Sequence, residues 1–378
     1  MIIVIADDIT GAAEIAGIAL NYGCETLLTT KFIMPEKLPN VLVFATDTRS
    51  MAEKEAYEVI LEITKNIKRD SNITVFKKID SVLRGHVVSE IKAIIKTLKY
   101  NNAMLLPQNP SKGRVIINGT YYIGKQLLND TDFQNDPEYP ALSANVAQIL
   151  NNQVTPLNLN ETFTEKNKNI FIADATNDKE IEIQLNKTTD NTLLGGGADL
   201  FTSLLEIKYN KTTQRNNFDC PSFAGKTIII CGSTQSKDIS NEPFIKQIEP
   251  AEMIMPTDVF EGKPADNWIK EINFNYKRNT SIIIKIGKKK NGGKDYAIRL
   301  KSIMAEIVLS TLNIETPKLL IIEGGATAYS ILSKIGWNLF KLKKEYAPGV
   351  VSMTHGCTEI ILKPGSYPWG GIFRRNKQ

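Results

Sequence analysis

The feature that most restricts the fold is a rhythm of short β-branched runs, each bounded by polar residues and separated from the next by a segment long enough for a helix. The runs are Ile2 to Ala6, Val41 to Ala45, Thr74 to Lys78, Met104 to Pro107, Ile170 to Ala173 and Leu193-Leu194, then Thr227 to Cys231, Met253 to Met255, Ile282 to Ile286 and Leu319 to Ile322. Such alternation predicts an α/β fold whose sheets are largely parallel and flanked by helices. Between the two series, residues 208–224 are polar and turn-forming, which puts a domain boundary near residue 218. A chain of 378 residues is long enough for two domains, each with its own core, and a cleft between them is the expected place for a ligand.

The residues just beyond these runs carry chemistry. Asp7-Asp8 stand after the first, Asp47 and Arg49 after the second, Asp80, Ser81 and Arg84 after the third, and Gln108-Asn109 with Arg114 after the fourth. Open parallel sheets bind ligands beyond the carboxyl ends of their strands, so these groups are expected to converge on one crevice. That mixture of carboxylates and arginines suits a small, acidic, polyhydroxylated molecule. A single Asp in this position is equally a helix N-cap; the recurrence, with an arginine close behind, argues for more.

In the second series the runs end in glycine: Gly232-Ser233 after Cys231, and Gly324-Gly325-Ala326-Thr327 after Glu323. A strand, a glycine turn and a helix start leave backbone N–H groups and the positive end of a helix dipole facing outward, which fits a phosphate or else only a tight turn. A third element, Lys363-Pro364-Gly365 through Trp369 to Gly371, adds a lysine and further glycines; Tyr367 and Trp369 suit either a nucleotide face or the core. No Walker A motif is present. Gly225-Lys226-Thr227 has Cys220 where the upstream glycine belongs, and Gly292-Gly293-Lys294 is followed by Asp295.

Composition narrows the classes further. Lys and Arg total 46 against 41 Asp and Glu, spread along the chain without a basic stripe, so nucleic acid is not an expected partner. The densest cluster, Lys288-Lys289-Lys290, reads as a solvated turn. The 4 cysteines show no CxxC spacing and the 2 histidines are far apart, which argues against zinc and for reduced thiols in a cytoplasm. No run approaches the roughly 18 apolar residues of a membrane helix.

Taken together these motifs resemble the four-carbon acid sugar kinase family, ATP-dependent kinases of threonate, erythronate and 3-oxo-tetronate. The resemblance runs nearly end to end: Ala6-Asp7-Asp8-Ile9-Thr10-Gly11-Ala12, Thr46 to Ser50, Lys77-Lys78-Ile79-Asp80-Ser81-Val82-Leu83-Arg84-Gly85, Pro107 to Arg114 with Gly119, then Gly232-Ser233, Gly324 to Thr327, Pro348-Gly349 and Lys363-Pro364-Gly365. It departs at His86, Gln108-Asn109 and Gly196-Gly197-Ala198-Asp199.

The resemblance implies a sugar-acid-binding domain over residues 1–218, a nucleotide-binding domain over 219–378, and transfer in the cleft between them. On that reading Asp8 accepts or orients the hydroxyl proton, with Asp80 second. Asp7, Arg49, Lys78, Ser81 and Arg84 hold the substrate. Gly232, Ser233, Gly324, Gly325, Ala326, Thr327 and Gly365 cradle the phosphates of ATP, and Mg²⁺ is held largely by phosphate and water, with no protein ligand assigned. A homodimer is left open. Two other readings remain: a sugar-acid sensor without catalysis, and a hydroxy-acid dehydrogenase, for which no GxGxxG follows a predicted strand.

Overall fold

The computed structural model describes residues 1–70, 72–136, 138–163, 169–209, 221–232, 239, 242–287, 293–365 and 369. Its contacts divide the chain into two units, Met1–Glu25 with Met34–Thr213, and Thr26–Ile33 with Gln214–Gln378. Sequence alone places the change near residue 218 and keeps residues 26–33 with the first part; in the structure they group with the second.

In chain order the first part runs β1 (Ile2–Ala6), α1 (Ile9–Asn21), β2 (Thr26–Thr29), β3 (Val41–Ala45), α2 (Glu53–Lys65), β4 (Thr74–Lys78), α3 (Val87–Leu98) and β5 (Asn102–Leu106). A small antiparallel sheet follows, β6 (Arg114–Ile117), β7 (Thr120–Ile123) and β8 (Gln126–Leu127). Then come α4 (Val146–Ile149), β9 (Thr155–Leu157), β10 (Ile170–Ala173), α5 (Asp178–Asn186), β11 (Thr192–Gly196) and α6 (Ala198–Tyr209).

The main sheet of this unit is parallel throughout, in the order β3-β1-β4-β11-β5-β10-β9. Every residue of β1, β3, β5, β10 and β11 is buried, as expected of strands covered on both faces. The chain moves from β1 to β3 on one side and then to β4 on the other. The carboxyl end of β1 is therefore a topological switch point, flanked by the carboxyl ends of β3 and β4. At the β6–β7 turn Asn118 and Gly119 both have positive φ (48° and 69°), the conformation that Asn-Gly hairpins favour.

The second unit contains β12 (Thr227–Cys231), α7 (Pro243–Ile248), β13 (Ala251–Ile254), α8 (Thr257–Phe260), α9 (Asp266–Arg278), β14 (Ser281–Lys285), α10 (Lys294–Leu312), β15 (Leu319–Glu323), α11 (Gly325–Lys334), β16 (Leu339–Ala347), β17 (Val350–His355) and β18 (Thr358–Lys363). The order is β13-β14-β12-β15-β18-β17-β16-β2, parallel from β13 to β18 and antiparallel from there to β2. Its switch point lies between β12 and β15. The antiparallel part is absent from the sequence reading because β16 alternates apolar with lysine and glutamate and presents no continuous apolar run. Trp369 is 3% exposed and packs with Ile229, Ile321 and Ile361, so it belongs to the core. The lysine cluster 288–290 lies outside the described residues.

Candidate functional site

At the switch point of the first unit, Asp8 caps α1, its Oδ1 accepting the Gly11 N–H at 3.0 Å. Its other oxygen accepts the Thr10 hydroxyl. The cap reading is thus true, and it does not exhaust the residue. Beyond β3, Asp47 takes a left-handed backbone (φ 56°) and turns Arg49 back towards β1. The Arg49 guanidinium donates to Asp7 from Nε at 2.7 Å and Nη2 at 3.0 Å, donates to Asp8 at 3.0 Å, and stands 3.6 Å from Asp80. Beyond β4, Asp80 accepts from Arg84 through Nε at 3.0 Å and Nη2 at 2.8 Å, while Arg84 Nη1 donates to Asp136 at 3.1 Å. Asp7, Asp8, Arg49, Asp80 and Arg84 therefore form one continuous chain of ion pairs drawn from three strand ends.

Lys78 is buried beside them. Its amino group donates to the Ile79 carbonyl at 2.9 Å and lies 3.6 Å from Glu14 on α1. Beneath the cluster a buried pair, Lys77 with Glu90 at 2.6 Å, is completed by the Thr48 hydroxyl donating to Glu90 at 2.7 Å, which fixes the turn that carries Arg49.

Burial alone would raise the Asp7 carboxyl pKa, but the charges of Arg49 and Lys77 outweigh it and hold it below the usual carboxylate value. Asp80 obeys the same rule: burial opposes ionisation, and Arg49 with Arg84 drives its pKa far below the ordinary range. Arg49 is raised in return, because three carboxylates overcome the cost of burying it. Asp7 and Asp80 are therefore held as anions at neutral pH and are weaker bases than an ordinary carboxylate.

Ser81 and Arg114 stand among the strand-end groups expected from sequence, whereas Tyr121, Phe133 and Tyr139 around them were not singled out. Ser81, held in the tight turn after Asp80, accepts a hydrogen bond from Arg114 at its hydroxyl and from Tyr121 at its carbonyl. The guanidinium carbons of Arg84 and Arg114 lie 5.8 and 5.6 Å from the centroid of the Phe133 ring. Tyr139 donates to the Arg49 carbonyl at 2.5 Å, and its phenol is pushed up to about 12, first by burial. The Asn118-Gly119 turn was the available signal for this hairpin and for Tyr121.

The residues at which the resemblance breaks make their contacts within this unit. Asn109 accepts from the Asp199 N–H at 3.2 Å, and a Cβ on Gly197 would meet its Oδ1 at 2.4 Å. Gln108 donates to the Ala173 carbonyl at 2.9 Å. His86 hydrogen-bonds the Met51 carbonyl at 2.8 Å. A cavity of about 810 Å³ in this unit, lined by Lys92, Lys96, Lys99 and Asn101, opens at the amino ends of β5 and β10 and includes none of the switch-point residues.

In the second unit the carboxyl ends of β12, β15 and β18 are stitched together, the Gly232 N–H to the Glu323 carbonyl at 3.2 Å and the Gly324 N–H to the Lys363 carbonyl at 2.9 Å. Gly324 adopts φ 97° and opens α11, whose first turn is Gly325, Ala326 and Thr327. The first N–H groups of a helix have no intrahelical acceptor, so this turn offers donors to an anion. Gly232 is where that helix start comes closest: a Cβ there would lie 2.4 Å from the Thr327 hydroxyl oxygen. Glycine at 232 is thus required by the close packing of the Thr327 side chain against it. Gly365 comes shortly after the end of β18; Ser233 lies outside the described residues. Lys363 is not a free cation, since it is buried and paired with Glu323 at 2.6 Å. Among the described residues no group of three or more His, Cys, Asp or Glu could hold a metal ion, and no helix is long and apolar enough to cross a membrane.

A family model described as "Sugar-binding N-terminal domain" matches residues 2–204. A 3-oxo-tetronate kinase from Pseudomonas savastanoi pv. phaseolicola is 22% identical over 402 residues, spanning 96% of this chain and 93% of that protein. A D-threonate kinase from Salmonella typhimurium is 29% identical over 150 residues, 39% of this chain and 36% of that one. The crystal structure of a Haemophilus influenzae protein matches with a TM-score of 0.74 at 20% identity, covering 98% of both chains. The last likeness shows the fold.

Proposed function

Because the chain belongs to the family defined by a sugar-binding N-terminal domain, we propose that it is an ATP-dependent kinase that phosphorylates a four-carbon sugar acid, threonate, erythronate or 3-oxo-tetronate, at its terminal hydroxyl. The names of its relatives support the reaction class. The observation that best supports the reading is the ion-pair chain at the switch point of the first unit, which gathers charged groups from three strand ends in one place.

In this reading Arg49, Lys78 and Arg84, with Asp7 and Ser81, position the substrate, Asp7 acting by holding Arg49. Asp8 is the group that orients the attacking hydroxyl and takes its proton: it is more exposed than Asp7 or Asp80, its side chain 18% accessible. Asp80, kept ionised by two guanidiniums, comes second, and in this reading it would orient the hydroxyl and not take its proton. Gly232, Ser233, Gly324, Gly325, Ala326, Thr327 and Gly365 would hold the nucleotide through main-chain and hydroxyl donors. ATP supplies the phosphoryl group, and Mg²⁺ neutralises charge on its phosphates. Reduced thiols and a cytoplasmic setting go with this reading.

The test is direct. The protein is incubated with ATP, Mg²⁺ and, one at a time, D-threonate, D-erythronate and the 3-oxo-tetronates, and ADP release is monitored together with the mass of the product. At least one acid should yield a monophosphate. ATP binding without ADP release on any of them would overturn the proposal.

A further inference from the structure

The guanidiniums assigned above to the substrate are already neutralised within the protein, Arg49 by Asp7, Asp8 and Asp80, and Arg84 by Asp80 and Asp136. Arg114 differs. Among the described residues it makes no ion pair; its partners are neutral, the Ser81 hydroxyl and the face of Phe133 at 5.6 Å. Two guanidiniums converge on that one ring, and only Arg84 has carboxylates of its own.

Resting on the sugar-acid reading, we propose that Arg114, with the Ser81 hydroxyl beside it, is the anchor that receives the carboxylate of the acid and sets the preference for acids over neutral polyols. A half-buried cation without a counter-charge has lost hydration that an incoming anion restores, and a planar guanidinium can take a carboxylate through two parallel hydrogen bonds. The group is preset for this. The Arg114 N–H is tied to the Asn109 carbonyl at 3.1 Å, and the buried Tyr121 holds the Ser81 carbonyl. The ligand therefore meets a donor whose position is fixed in advance, which lowers the ordering cost of binding.

The experiment uses whichever of D-threonate, D-erythronate and the 3-oxo-tetronates the wild type binds most tightly. Calorimetric affinity and steady-state kinetics with ATP are compared for wild type, Arg114→Gln and Arg114→Lys. R114Q should weaken binding and raise KM by about 10- to 100-fold, the range for a charge-assisted hydrogen bond, with kcat within a few-fold and an unchanged thermal midpoint. R114K, which keeps the charge and loses the fork, should fall between, and it decides the matter if R114Q does not fold. Unchanged affinity and KM in the variants overturn the inference and leave the kinase reading standing. Arg114-dependent binding without phosphoryl transfer leaves the anchor standing and overturns the kinase reading. A wild type that neither binds nor phosphorylates any of these acids overturns both.

Discussion

Replacing Arg49 by Met tests whether the switch-point cluster is held together by charge. The guanidinium serves Asp7, Asp8 and Asp80 at 2.7 to 3.6 Å, and Asp7 is only 4% exposed. Removing it strands a buried carboxylate, and breaking a buried pair from one side costs about 3–5 kcal/mol. For a unit of this size that corresponds to a midpoint lower by about 10 °C. The pH dependence sharpens the expectation. In the wild type the Asp7 carboxyl is depressed, so its contribution is fully present above the unfolded pKa and is lost as pH falls through the folded one. In R49M burial, the largest influence on Asp7, is opposed by Lys77 alone, and the folded pKa should rise above the unfolded value. That group then costs stability at neutral pH and the cost disappears on acidification. The gap between wild type and R49M should therefore be widest at neutral pH and narrow towards pH 4. Asp7→Asn in the R49M background should recover a large part of the loss, since an amide needs no counter-charge. Urea titrations monitored by circular dichroism measure all three; tryptophan fluorescence is unsuited, because Trp268, Trp337 and Trp369 all lie in the second unit. A loss below about 1 kcal/mol, or a gap independent of pH, would show that Arg49 does not carry the cluster.

Asp8→Asn keeps an effective helix cap while removing the charge. It should lower kcat by about 10²- to 10⁴-fold with ATP affinity and thermal midpoint unchanged; turnover within a few-fold of wild type would remove Asp8 from the chemistry. Gly232→Ala drives a methyl group to 2.4 Å from the Thr327 hydroxyl oxygen. It should cost about 1–3 kcal/mol and weaken ATP, read by calorimetry, more than it changes binding of the acid. Glu14, Asp80 and Asp136 all have depressed carboxyls, in each case because cationic or hydrogen-bonding neighbours outweigh burial. Their stabilisation is present above the unfolded carboxylate range and lost below it, so the urea midpoint should fall steeply as pH drops below about 4; a midpoint that holds through that range would contradict these assignments.

The parallel strands were readable because covering both faces leaves an uninterrupted apolar run, as in Ile2 to Ala6 and Ile228 to Ile230. The glycines at 232 and 324 were readable because few other residues tolerate a 2.4 Å approach or a φ of 97°. Strand β2 was not, since its pairing partner β16 lies more than 300 residues away in sequence. Strand β16 was not, because a half-solvated strand alternates and looks locally like a loop.

The layered α/β architecture and the kinds of group that stand at each strand end follow from local residue order, because burial and backbone geometry act on a few neighbouring residues at a time. Which of those groups neutralise one another was decided only by tertiary structure. The order β3-β1-β4 brings Asp7, Arg49 and Asp80 together from positions dozens of residues apart, and it consumes two arginines that looked free. Arg114, which sequence placed at the crevice without a role of its own, is left as the cation without a carboxylate among these. Ion pairing depends on distances of a few ångströms between strand ends, and no local pattern encodes which ends become neighbours.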